Sequence, residues 1–276
     1  MTSKSADLNE AGINWASREV AERRSRGQAG RDEIYGPATE LMLDLADVRT
    51  GSRVLDVAAG TGDQTLFAAR RVGANGCVLA TDISADMLTA AAEAARKAGL
   101  TNVETRVMDA ESLDLDADSF DAVICRLGLM LFSNPEKVLR EMRRVVRPGG
   151  KVAALVFSTA EKNPHQGIIL GVARRFGSAP LPLFSLGESN VLENSFKDGG
   201  LLNVTVQEVT FRRHFSSTPE LIRRLKESAF LRQPIEKLGE ADREQAWVEV
   251  EQELSQFQGP TGIEIPGEFL IAVGTK

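Results

Sequence analysis

Residues 53–63, Arg-Val-Leu-Asp-Val-Ala-Ala-Gly-Thr-Gly-Asp, decide how the chain is read. A short apolar segment passes through an acid into a Gly-x-Gly turn, and a helix-forming run over 64–71 comes next; this is the pattern of a strand, a tight turn and a helix. Gly60 and Gly62 supply backbone freedom and remove side chains, so a ligand can lie directly on the chain near the amino end of the helix. A dinucleotide fingerprint would need a third glycine where Thr65 stands. Asp56, just ahead of the turn, would oppose a pyrophosphate and suits a ligand that carries a positive amine. A Gly-x-Gly turn alone also fits a plain strand-to-helix connection, so the spacing of the downstream elements matters.

Downstream of the turn, strand and helix units repeat. A strand over 77–83 contains Asp82, Ser84 is placed to cap the alanine-rich helix after it, and Gly99 ends that helix. Residues 102–110 alternate Val103, Thr105 and Val107 and carry Asp109 at their end; 120–127 is a further apolar strand. Asn134-Pro135 opens a helix with Val138, Leu139, Met142, Val145 and Val146 on one face, and Pro148-Gly149-Gly150 stops it before a strand over 151–157. Alternation of this kind predicts a mostly parallel sheet wrapped by helices. Ligands in such sheets bind beyond the carboxyl ends of the strands. Asp56, Asp82 and Asp109 stand at three such ends, 26 and 27 residues apart (82 − 56 and 109 − 82). Each alone is also an ordinary turn or cap residue; together they predict one crevice.

The remaining composition bounds the partners. The chain has 276 residues, 42% hydrophobic and 26% charged, as in an ordinary globular protein. With 33 Lys and Arg against 39 Asp and Glu the net charge is -6, which disfavours a nucleic-acid backbone as partner. The Arg-Arg pairs beginning at 23, 70, 143, 174, 212 and 223 read as solvated helix faces. Cys77 and Cys125 stand alone in strands expected to be buried, so neither a disulfide framework nor a metal site is expected, and a cytoplasmic setting fits. No run is long and apolar enough to span a bilayer.

Outside the repeat the sequence is less explicit. A helix is predicted over 14–26, in which Trp15 serves either as a lid over a ligand or as an anchor to the body. Another begins at Pro37 and runs to 48, with Tyr35, the single tyrosine, just ahead of it. Later helices are expected over 165–176, 189–197 and 219–257, the last interrupted around Gln233-Pro234, with strands over 203–211 and 269–273. Nine of the twelve phenylalanines lie beyond residue 150, which suits either an apolar acceptor pocket or ordinary core packing.

The run 54–63, Thr81-Asp82-Ile83-Ser84 with Met87-Leu88, Met108-Asp109-Ala110, and Phe120-Asp121-Ala122-Val123 with Pro148-Gly149-Gly150 resemble class I S-adenosylmethionine-dependent methyltransferases, in particular the ubiquinone and menaquinone biosynthesis C-methyltransferases and their natural-product relatives. The likeness covers roughly residues 50–158. It implies an α/β, Rossmann-like fold: a seven-stranded, mostly parallel sheet with an antiparallel last strand and helices on both faces. The chain then divides into a helical lid over 1–35 and a methyltransferase domain over 36–276 with acceptor-site insertions at 158–200 and 212–267, the long helical insertion between the last two strands having no counterpart in the compact quinone enzymes. It also implies roles. The turn with Ala58, Gly60, Thr61 and Gly62 meets the methionine part of S-adenosyl-L-methionine, and Asp56 helps its amine. Asp82 accepts the ribose hydroxyls, Ile83 and Met87 flank the adenine, and Asp109 with Ala110 meets its edge. Arg126 and Leu127 line the crevice near the sulfonium, and Tyr35 closes over the cofactor.

The implied reaction is in-line displacement of the methyl group by an acceptor nucleophile. If the acceptor must first lose a proton, His165, just after the fifth strand, is the candidate base; His214 reads as an exposed structural residue. The quinone enzymes carry an Arg-Asn pair shortly after the Gly-Leu that succeeds the fourth strand, whereas here Gly128-Leu129 runs into Met130-Leu131-Phe132. The expected acceptor is therefore a small, largely apolar secondary metabolite, methylated at carbon, nitrogen or oxygen, with a quinone precursor as the alternative. A nicotinamide-dependent oxidoreductase and a non-catalytic cofactor-binding module are the rivals from other classes. The amino-terminal helix serves as a lid or docks on a neighbouring subunit of a homo-oligomer.

Overall fold

A computed structural model describes residues 17–228 and 230–276. The strands β1 (Arg53–Val57), β2 (Cys77–Asp82), β3 (Val103–Val107), β4 (Phe120–Arg126) and β5 (Val146–Phe157) are mutually parallel, and β6 (Leu202–Phe215) and β8 (Gly262–Thr275) complete the order β3-β2-β1-β4-β5-β8-β6. β8 is antiparallel to both neighbours, as expected of the last strand. A two-residue strand β7 (Gln258–Gly259) adds a small hairpin on β8 and makes the sheet eight-stranded.

The central strands are apolar on both faces because helices cover both. Helices α2 (Gln28–Leu45), α3 (Asp63–Val72) and α4 (Ala85–Lys97) form one packed group; α5 (Pro135–Val145) and α7 (Ser189–Asp198) form another. Met42, Leu43, Ala68, Ala69, Val72, Val138, Leu139, Met142, Val145 and Phe196 close the main core on β1, β4 and β5. Local chemistry sets the ends: Ser84 Oγ accepts from the Met87 N–H at the start of α4, and Asn134 Oδ1 accepts from the Lys137 N–H at the start of α5.

Three readings need correction, and one falls partly outside the described residues. α2 does not begin at Pro37 but runs through it from Gln28, so Tyr35 lies inside a helix and a boundary at residue 35 cuts that helix. Helix α1 (Arg18–Arg26) is the described part of the predicted 14–26 helix, and Trp15 lies outside the described residues. Cys77 is exposed rather than buried. β6 and β8 are each 14 residues long and pair from Leu202↔Thr275 to Phe215↔Ile263, taking 212–215 and 262–267 out of the expected insertion. Pro266 and Gly267 hid this extension. β8 pairs β5 only from Phe269 onward, so Pro266 has a free edge and costs no ladder bond.

The two-stranded ribbon thus projects past the carboxyl end of β5. A second, smaller core forms there from α6 (Pro164–Arg175), α8 (Thr218–Glu227), α10 (Glu240–Leu254) and the ribbon, with Ile169, Phe215, Leu221, Leu225, Trp247, Val250, Ile263 and Ile265 buried together. A short helix, α9 (Gln233–Glu236), bridges α8 and α10. Between the two cores lies the open side of the sheet.

Gly62, at the start of α3, has φ 82°, and a Cβ built on it falls 2.8 Å from the Cβ of Ala91 on α4. Gly62→Ala combines a left-handed backbone penalty with a steric clash and is expected to lower stability by about 1–3 kcal/mol. Denaturant titration measures this; an unchanged midpoint would show that α3 and α4 are not in contact through this glycine.

Candidate active site

The turn after β1 is fixed from beneath. Asp56 is fully buried, accepting from Gln64 Nε2 (3.0 Å) and Thr65 Oγ1 (2.5 Å), both in the first turn of α3. Burial, opposed by these two hydrogen bonds, pushes its carboxyl up to about 7. The expectation that Asp56 meets a ligand's amine does not fit: α3 claims both oxygens, and the residue is absent from the cavity wall. Thr61 and Gly62 also lie behind the turn, Thr61 donating to Asp63 Oδ1 (3.1 Å) and Gly62 packing on Ala91.

The exposed side of the turn opens on a cavity of about 1290 Å³. Asp82 ties the turn to β2, its Oδ2 accepting from the Gly60 N–H and its Oδ1 from the Ser84 N–H, both at 2.9 Å. Burial raises the Asp82 carboxyl, and the hydrogen bonds from Ser84 and Gly60 oppose that shift. Ala58 (φ 55°) and Leu127 (φ 56°) hold left-handed backbone despite their side chains. Such residues cost about 1–3 kcal/mol each and concentrate where a chain is shaped for a ligand. Both face the cavity, as do Tyr35, Gly60, Ile83, Met87, Asp109, Ala110, Arg126 and His165. Asp109 is exposed and accepts from the Glu111 N–H (2.9 Å).

Several lining or supporting residues were not singled out in the sequence. Asp63, 1% exposed, accepts from Arg31 Nε (2.7 Å), Arg31 Nη2 (3.1 Å) and Arg126 Nη2 (3.1 Å). Burial would raise its carboxyl, but the Arg31 hydrogen bond and the charges of Arg31, Arg126 and Arg24 hold it well below the usual carboxylate range. Arg126 also donates to Thr39 Oγ1 (3.0 Å) on α2. Arg24 reaches over Gly60, its Nη2 3.8 Å from where a Cβ on that glycine would stand; burial and the charge of Arg31 bring its guanidinium down to about 10. The Arg-Arg pairs at 23, 212 and 223 are therefore not merely solvated, because Arg23, Arg24, Arg213, Arg223 and Arg224 all line the cavity.

The far wall is aromatic. Tyr35 meets Phe157, Phe211 and Phe269 edge-on, with centroids 6.4, 6.0 and 5.2 Å away. His165 is buried and stacks on Phe215 (5.9 Å), and burial, reinforced by Arg213, lowers its pKa well below the ordinary value, so the imidazole is neutral and its basicity is reduced. His214 is exposed. The Cys125 thiol is pushed up to about 12 by burial and offers no nucleophile. Among the described residues no cluster of His, Cys, Asp and Glu is placed to hold a metal, and no helix is long and apolar enough to cross a membrane.

Residues 38–168 match the model of the ubiE/COQ5 methyltransferase family. The chain is 43% identical over 117 residues to the ubiquinone/menaquinone biosynthesis C-methyltransferase UbiE of Idiomarina loihiensis, covering 42% of this chain and 47% of that protein. To UbiE of Methylococcus capsulatus it is 41% identical over 119 residues, 43% of this chain and 48% of that protein. The chain thus spans about half the length of the curated relatives it matches. The YcgJ protein of Bacillus subtilis superposes with a TM-score of 0.60 at 20% identity, over 87% of this chain and 98% of that one. The resemblance carried by the motifs holds for the sheet half, and the fold is the Rossmann-like one it implied.

Because Asp63 titrates below its unfolded value, its ionised form contributes stability that is present above about pH 4 and lost as pH falls through the folded value. Asp63→Asn removes it and leaves two guanidinium groups short of a counter-charge, a loss of about 3 kcal/mol near neutrality. Denaturation of both proteins between pH 3 and pH 7 is expected to show a gap that narrows on acidification; a gap independent of pH would mean that the ion cluster contributes no such stability.

Proposed function

We propose that this cavity binds S-adenosyl-L-methionine and transfers its methyl group to a small, largely apolar acceptor held against the aromatic wall. The observation that carries the reading is one continuous cavity joining the Gly60–Asp82 cradle to the wall of Tyr35, Phe157, His165 and Phe215. The Asp82 carboxylate keeps lone pairs for the ribose hydroxyls beside its backbone bonds, and the left-handed Ala58 and the bare Gly60 let the methionyl chain lie on the backbone. Arg24, above Gly60, supplies a cation for the methionyl carboxylate. Ile83 and Met87 flank the adenine, and Asp109 with Ala110 meets its edge.

In the reaction the sulfur–methyl bond breaks as a bond from the acceptor nucleophile to the methyl carbon forms. The sulfonium becomes a neutral thioether, and the acceptor's proton leaves. Most of the rate comes from alignment and exclusion of water; His165, on the acceptor side, is the candidate to take that proton, though its burial makes it a weaker base than a free imidazole. Acidic overall charge points to a small acceptor rather than a nucleic acid, in a cytoplasmic setting. We give α1 and the first turns of α2, up to residue 35, the role of a lid and the helices after Ser216 that of an acceptor cover. Identity with UbiE proteins favours C-methylation of a quinone precursor as the second reading, against which stands the run Met130-Leu131-Phe132 after Gly128-Leu129.

Each charge-assisted hydrogen bond to Asp82 is worth about 1.5–3 kcal/mol, so Asp82→Ala is expected to weaken cofactor affinity by at least roughly tenfold. Asp82→Asn, which keeps one acceptor oxygen for the Gly60 N–H, separates lost ribose contacts from a loosened turn. Calorimetry with S-adenosyl-L-methionine reads both; unchanged affinity in folded variants would sink the cradle assignment. Incubation with methyl-labelled cofactor and an extract of the source cells, followed by mass spectrometry, is expected to yield a labelled small molecule. His165→Gln is expected to lower kcat at least about a hundredfold with cofactor affinity unchanged, the lower end of general-base contributions.

A further inference from the structure

We propose that the acceptor carries a carboxylate and that Arg213 is the residue that binds it; this rests on the reading of the cavity as a methyl-transfer site. Arg213 lies on the ribbon end of β6 and lines the cavity, yet it is only 3% exposed. Its Nη2 donates to the Tyr35 hydroxyl (2.7 Å), and its guanidinium lies 4.8 Å from the Phe211 ring centroid and 5.6 Å from that of Tyr35. Its Nη1 is buried with no hydrogen-bond partner among the described residues. His165 Nδ1 and Gln166 Oε1, on the same cavity wall, are buried and unpartnered too.

Several other arginines on or beside the cavity have carboxylate partners, and Arg24, which has none within ion-pair distance among the described residues, still feels the charges of Asp63 and Asp82. Arg31 and Arg126 share Asp63, Arg223 pairs with Glu227, Arg224 with Glu220, and Arg212 with Glu264. No carboxylate among the described residues lies within ion-pair distance of Arg213. A guanidinium withdrawn from water without a counter-charge is costly, and a buried donor left unmade is costlier than the same donor in solvent. Both costs vanish if a ligand brings a planar anion, for which the guanidinium fork is shaped. Phe157, Phe215 and Leu183 leave an apolar surround with one unpaired cation, which suits a monoanionic head on an apolar body rather than a dianionic phosphate. A site with unpaired buried donors also rejects analogues that lack the acceptor oxygen. Arg213 is therefore a specificity-determining residue, and the acceptor is an apolar carboxylic acid rather than a neutral lipid.

Matched probes test this. With S-adenosylhomocysteine saturating, 2-naphthoate is expected to bind the wild-type protein at least about tenfold more tightly than 2-naphthamide, which has the same body without the charge. Arg213→Leu is expected to abolish the preference, and Arg213→Lys to keep part of it as a charge without the fork, with nucleoside affinity unchanged in both. Equal affinity for the two probes, no naphthoate binding at millimolar concentration, or a preference that survives in Arg213→Leu overturns the inference. Should Arg213→Leu not fold, the wild-type comparison and Arg213→Lys decide alone. Failure of the nucleoside itself to bind counts against the proposed function and is read separately, since the probe preference can also be measured without it.

Discussion

A carboxylate almost sealed from water, Asp63, fixes three parts of this fold at once. It is the first residue of α3, where the positive end of the helix dipole favours an anion. It also receives Arg31 from α2 and Arg126 from the end of β4, and Arg126 in turn donates to Thr39 on α2. The glycine turn, the edge of the sheet and the helix above them are thereby held in one register. A buried ion cluster is a poor source of net stability, but it penalises any arrangement that separates its members. The cavity exists because α2 is tied at that distance from the turn.

The ribbon supplies the other wall. By continuing past the last residue of β5, β6 and β8 carry Arg213 and Phe215 over the open side of the sheet, where α6 brings His165 against them. Tyr35 joins the two walls: it stands on the helix that Asp63 anchors, and its hydroxyl accepts a hydrogen bond from Arg213. Arg31 and Arg126, beside the glycine turn, share an acidic partner, while Arg213, at the ribbon, has an aromatic surround. That asymmetry is what makes the cavity chemically directional.

The sheet and its ligand edge were legible because their signals are local: Gly-x-Gly after an apolar strand, an acid near each of three strand ends, caps at Ser84 and Asn134. Asp82 and Asp109 line the cavity as their positions implied. Asp56 does not, since its partners Gln64 and Thr65 come from the next helix and no strand pattern shows that they close over it. The ion cluster joins residues 32 and 63 positions apart, Arg31 and Arg126 with Asp63, and so left no periodic trace. Pro266 and Gly267 disguised the ribbon, and with the ribbon unseen Arg213 looked like half of a solvated pair. A buried arginine is invisible in sequence when the residues that bury it are spread over a helix and two strands.

The central claim is that the nucleoside lies on the turn after β1 with its reactive carbon directed at the aromatic wall. A crystal structure with S-adenosylhomocysteine tests it most directly. The account predicts both ribose hydroxyls within hydrogen-bond distance of Asp82, the amino-acid carboxylate beneath Arg24, and the sulfur facing the space between Leu127 and His165. A nucleoside seated elsewhere, or one whose sulfur faces away from that space, would contradict it.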